Sequence, residues 1–137
     1  MMPKFRAFDK KYKKIMKVNE INFEKSSVWI ESDSGDHENR HTLTREFDEV
    51  VLMQSTGLHD EQGVEIFEGD IVNINHTFRN PMTGCGTLTL NKNFEVVYIN
   101  GMFTRAGSSM GLSRDLIYLT VIGNVHENQE LLEDVWN

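Results

Sequence analysis

A chain of 137 residues with 39% hydrophobic and 26% charged content has enough material for one domain, or one domain plus a small appendage. It can bury roughly two-thirds of its unfolded surface, so it needs no metal or disulfide staple. Its two prolines argue against a disordered linker, its single cysteine (Cys85) excludes an intrachain disulfide, and its net charge of −7 disfavours general binding to duplex DNA.

The N-terminal run MMPKFRAFDKKYKKIMK is basic without an apolar core of signal-peptide length, and no later run approaches the roughly 18 apolar residues of a membrane span. This predicts a cytoplasmic protein that does not engage a membrane. The charge is uneven. Residues 1–17 carry seven of the fourteen basic side chains against one acid, Asp9, while residues 126–137 carry four acids and no Lys or Arg. A basic head can touch nucleic acid or an acidic partner, although a solvated hairpin rim explains it more simply.

Taken in order, residues 4–8 alternate polar and apolar side chains as a half-buried strand does, and residues 9–14 form a lysine-rich turn. Ile15, Val18, Ile21 and Phe23 fit an extended segment with a bulge. Their partial spacing of three also admits a helix over 10–23. Val28-Trp29-Ile30 predicts a third strand. Residues 31–46 hold Leu43 as their only aliphatic side chain and are expected to form an exposed loop. Asp33, Gly35, Asp36 and Glu38 in that loop only faintly suggest a calcium loop, because the acidic ligands, central glycine and terminal glutamate are out of register.

The stretch 52–74 then reads strand, polar turn at His59–Gly63, and strand again through Ile66–Ile74, punctuated by Glu68-Gly69-Asp70. Residues 76–86 predict a long turn. Alternation at 87–90 and a β-branched, aromatic run at 94–99 predict further strands. Asn100-Gly101 between that run and Met102–Arg105 predicts a β-hairpin over 94–105, since both turn positions accept positive φ. Residues 107–111 form a loop and 113–118 at most one turn. Residues 119–125 read as a closing strand with Gly123 at a bulge or close approach, and Asn128 is placed to cap a helical turn over 130–136.

This pattern implies a mainly β chain of barrel or sandwich type. It divides into an N-terminal β region, residues 1–50, containing the exposed 31–46 loop, and a second region over 51–137.

The segments KFRAFDKKYKKIM (4–16), VLMQSTGLHDEQGVEIFEGDIV (51–72) and VIGNVHENQELL (121–132) resemble, in order, the three blocks of the YopX family, small proteins of phages and prophages in Gram-positive bacteria. The resemblance implies an SH3-type small barrel in the C-terminal part, an N-terminal strand region packed on it, a short C-terminal helical turn and a host-cell cytoplasmic setting. It implies no catalytic residue, cofactor or metal. Within it Gly57, Gly63, Gly69, Asp70, Gly123 and Asn124 read as structural. Gly69 allows a conformation that bulkier residues resist, and Asp70 can accept N–H groups of its turn.

Chemistry-bearing residues form no convincing set. His37 and His41 are spaced by four, with Glu38 between them, but no helix is predicted there to bring both histidines onto one face. Cys85 has no cysteine partner, and His76 is its nearest histidine in sequence. Gly107-Ser-Ser109-Met-Gly111 matches the letters of a hydrolase serine elbow without the strand–helix context. Glu65, Glu68 and Asp70 are the one tempting acid cluster. The expectation is therefore no enzyme, but a β module that binds a host or phage protein or a second copy of itself. The alternative is a nucleic-acid-binding module using Phe5, Arg6, Phe8, Lys10, Lys11, Tyr12, Lys13 and Lys14, which mix basic and aromatic side chains.

Overall fold

The computed structural model describes residues 3–32 and 41–133. The chain is mainly β, with ten strands, a few single 3₁₀ turns and two antiparallel sheets among those residues. It divides into two compact units, Met1–Ser55 and Thr56–Asn137.

In the first unit the strand order is β4 (Thr42–Glu46), β3 (Ser27–Glu31), β2 (Lys14–Asn22), β1 (Phe5–Asp9), β5 (Val50–His59). The helix that the spacing admits over 10–23 does not form. Alternation in β2 instead buries Met16, Val18 and Ile21 against Ala7, Val28, Ile30 and Val50 on one face. The expected bulge is a register shift between Val18 and Glu20 opposite β3. It lets apolar residues at 16, 18 and 21 share a face despite their odd spacing.

Residues 42–46 correct the expectation of an exposed loop over 31–46. They form β4, paired with β3 from Ser27↔Glu46 to Glu31↔Thr42. Thr-Leu-Thr alternation suffices here because an edge strand needs only one apolar side, supplied by Leu43 and the stem of Arg45. The weak calcium-loop match at Asp33–Glu38 lies outside the described residues.

β5 runs on into the second unit, where it pairs with β6 (Glu65–Phe67). The second sheet has the order β10 (Leu119–Asn124), β7 (Asp70–Arg79), β8 (Thr87–Ile99), β9 (Met102–Arg105). Its core joins Ile66, Val72, Ile74, Val96, Leu112 and Leu119. Neither sheet closes on itself among the described residues, so the SH3-type barrel reduces to its coarser part, two open antiparallel sheets.

The turns obey their local chemistry. Asn100 (φ 51°) and Gly101 (φ 79°) make the tight β8–β9 hairpin. The turn expected over 76–86 is shorter, because His76–Arg79 continue β7 opposite Thr87–Leu90 of β8. Gly123 sits at the register shift between β10 and β7. A Cβ there would lie 2.5 Å from Asn128 Oδ1. Asn128 is not the side-chain cap expected of the 3₁₀ turn at Gln129–Leu132. Its Oδ1 instead accepts the Asn124 N–H at 3.2 Å, while Asn124 Oδ1 accepts from the backbone N–H of His126 and Glu127. Of the helical turn expected over 130–136, residues 134–136 lie outside the described residues.

Candidate functional site

The basic head is built on Asp9, the one acid among its lysines. Asp9 is 0% exposed, and its Oδ1 meets Arg45 Nε of β4 at 2.9 Å. Its Oδ2 accepts the Tyr12 N–H at 2.9 Å, and its backbone carbonyl accepts the Lys13 N–H at 2.7 Å. Lys13 takes positive φ (56°) to complete the turn. Arg45 also lies over the Tyr12 ring, 5.4 Å from its centroid. The hydrogen bond to Asp9 raises the Arg45 pKa above its ordinary value, so the guanidinium stays charged across the accessible pH range.

The eight residues expected to contact nucleic acid or a partner do not form one surface. Phe5, Arg6 and Phe8 lie in β1 and are half-buried. Lys10 is tied down, its Nζ donating to the Asp48 carbonyl at 2.9 Å. Lys11 and Lys13 are exposed in the turn. Tyr12 and Lys14 do come together, in a pocket of about 380 Å³ that Met16, Ser32, His41, Thr42 and Leu43 complete. There Lys14 Nζ donates to Ser32 Oγ at 2.8 Å.

The opposite face of the same sheet carries a feature with no signal in the sequence. Trp29, 45% exposed, lines a depression of about 300 Å³ with Glu20, Asn22, Lys25, Ser27 and Thr44. Beside it runs β4, the last strand of the sheet among the described residues. Ser32 N–H bonds His41 O and Phe47 N–H bonds Ser26 O, each at 2.9 Å, which sets the phase of the β3–β4 ladder. In that phase Leu43 and Arg45 face β3 with their backbone groups, while Thr42 and Thr44 turn their N–H and C=O groups outward. Glu46, next in phase, gives its N–H to Glu49 Oε1 at 3.0 Å.

Asp70 is buried and its Oδ2 accepts the Phe67 N–H at 2.7 Å. Neighbouring Gly69 (φ 88°) donates to Val96 O and accepts from Val125 N–H. Glu65 and Glu68 are half-buried. Gly57 (φ 77°) lies in β5 and Gly63 (φ 84°) in the β5–β6 turn. That turn is organised by Asp60, which in the sequence is one turn former among several. Its Oδ1 accepts the N–H groups of Gln62 and Val64, and its Oδ2 that of Val121, at 2.8 to 2.9 Å. Burial is the largest single influence and pushes this carboxyl up, but the backbone donors Val121, Val64, Gln62 and Gly63 together outweigh it and hold its pKa below 3.8.

His76 stacks between Phe78 and Tyr118, and Cys85 is exposed in the β7–β8 turn, its N–H bonding Thr83 Oγ1. Ser109 holds the elbow position of the Gly107–Gly111 match, and the elements next in the chain are single 3₁₀ turns, not the helix a serine elbow needs. His41 is exposed, and His37 lies outside the described residues. Glu46, Asp48 and Glu49 bring their carboxylates within 4.8 Å of one another. No helix among the described residues is long and apolar enough to cross a membrane.

Comparison with known proteins gives a consistent relationship. No curated protein matches the chain. Among solved structures, the crystal structure of protein EF1440 from Enterococcus faecalis is similar at 30% identity, with a TM-score of 0.66 over 97% of this chain and 99% of that one. Residues 4–133 match the YopX protein family, nearly the whole chain, so all three sequence blocks fall within one continuous match. The chain belongs to the YopX protein family.

Proposed function

We propose that this protein is a phage- or prophage-encoded accessory protein that works in the cytoplasm of its bacterial host by binding another protein, not by catalysis. The observation that carries this reading is the β4 edge, unpaired with any further strand among the described residues, beside the Trp29 depression. Two outward-facing residues, Thr42 and Thr44, offer main-chain donors and acceptors to an added strand. The adjoining depression can take a side chain of that strand, with Trp29 as its apolar wall. Main-chain bonds supply affinity in this mode and the side-chain pocket supplies selectivity. An extended segment of a host or phage protein fits, as does β4 of a second copy.

Thr44→Pro tests this directly. It removes an outward N–H without taking a donor from the β3–β4 ladder, a position where edge strands tolerate proline. Light scattering after size exclusion, together with affinity capture from host lysate, should show a self-associated or partner-bound wild type. Thr44→Pro and Trp29→Ala should each lose the complex while keeping the circular dichroism of the parent. A wild type that is strictly monomeric and captures nothing would sink the proposal.

A further inference from the structure

We propose that the β7–β8 hairpin is a second binding element and that its ligand is single-stranded nucleic acid. β10 covers β7 only as far as Ile74, and β9 covers β8 only from Val96 onward. Residues 75–79 and 87–91 therefore pair only with each other, as a two-stranded arm running out from the sheet. One side of this arm is aromatic and apolar. Tyr118 stacks on His76 at 3.7 Å between ring centroids, and His76 stacks on Phe78 at 5.6 Å, both with interplanar angles of 26°. The outermost ring, Phe78, is 38% exposed, next to the exposed Leu88 across the pair. This is a staircase of near-parallel rings whose last step is open, the arrangement on which a base can add its own face.

Charge supplies the second argument. In a chain of net charge −7 with 21 acids, residues 71–94 contain no Asp or Glu at all, and they carry Arg79 and Lys92. The arm is thus a locally cationic element on an acidic protein. Lys92 shares the face of Phe78 and Leu88, with its Nζ 5.7 Å from the Phe94 ring centroid, and Arg79 follows Phe78 at the far end on the opposite face. One arm thus carries both long, flexible cations and an open ring, the two groups that engage the phosphates and bases of a single strand. A duplex would offer its bases only at the groove edges. The lysine-rich N-terminal head has no stacked series of rings: Lys10 is tied to the Asp48 carbonyl, and the exposed Tyr12 ring has Arg45 on it and not a second aromatic.

The test titrates a dye-labelled oligothymidylate of about 20 nucleotides with the full chain and follows fluorescence anisotropy at several salt concentrations. Saturable binding is expected at low salt. Its logarithmic salt slope should lie between about −1 and −2, since two phosphate contacts on a single strand give roughly −0.7 each. Phe78→Ala should weaken binding about tenfold or more, while Phe78→Trp should retain it, which a merely misfolded variant could not do. Arg79→Ala should weaken binding and reduce the slope by about 0.7. Replacing Lys10, Lys11, Lys13 and Lys14 together by Glu should leave it intact. The proposal is overturned by no binding at low salt, by binding that depends on the N-terminal lysines and ignores Phe78, or by an arm that binds anionic lipid vesicles and not the oligonucleotide.

Discussion

Both carboxylate oxygens of Asp60 accept backbone N–H groups, from residues as far apart as Gln62 and Val121. One side chain therefore closes the β5–β6 turn and fastens it to β10. Asp60→Ala would leave these donors facing a void in a site that is only 6% exposed, and should cost about 2–3 kcal/mol in urea denaturation. The pH dependence follows from the depressed pKa. Unfolding returns the carboxyl to about 3.8, so its stabilisation is complete above that value and is lost as pH falls through the lower folded pKa. Acid titration of the wild type should show this loss below pH 3.8, and Asp60→Asn should lack that component. A variant with an unchanged acid limb would show that Asp60 does not couple folding to pH.

At the scale of the element, Arg45 makes the same kind of link in the first unit, joining β4 to the buried Asp9 at the end of β1. Arg45→Ala strands a carboxylate with no exposure and should destabilise by about 3–5 kcal/mol, measured by chemical denaturation. Asp9→Asn in the same background should recover part of the loss, because the unpaired charge goes with it. These links also explain what could be read from the sequence. The β8–β9 hairpin was legible because Asn100-Gly101 carries its own turn geometry, and the bulge at Gly123 because glycine inside a strand signals a close approach. β4 was not legible. Its strand character depends on pairing with Ser27–Glu31, and its polar outward side chains are those of a loop. Length was missed for the same reason in β7, since Thr77 and Phe78 are held extended only by Thr89 and Leu88 of a distant strand. The acids at 65, 68 and 70 stand out by residue type, which shows neither that Asp70 is buried on a backbone N–H nor that Asp60 accepts the backbone N–H groups of Gln62, Val64 and Val121. The Trp29 depression was illegible because it is assembled from three strands, with Glu20, Trp29 and Thr44 adjacent only once register is known.

For the whole molecule, the decisive feature is that the two buried clusters share no residue. Ala7, Met16, Val28, Ile30 and Val50 form one, and Ile66, Val72, Ile74, Val96, Leu112 and Leu119 form the other. Only β5 belongs to both units as a strand, placing Val50 and Leu52 against the first cluster and Leu58 against the second. A continuous backbone can transmit strain, but the free energy of each cluster depends on contacts within it. A cavity in one core should therefore lower amide protection mainly in its own strands. Leu119→Ala, which removes a fully buried side chain, should cost about 2–5 kcal/mol in the second unit. Hydrogen exchange should then speed up in β7, β8 and β10 while β1, β2 and β3 keep their protection, and Ile30→Ala should produce the reverse pattern. If either substitution accelerates exchange equally in both sets of strands, the chain unfolds as one cooperative block.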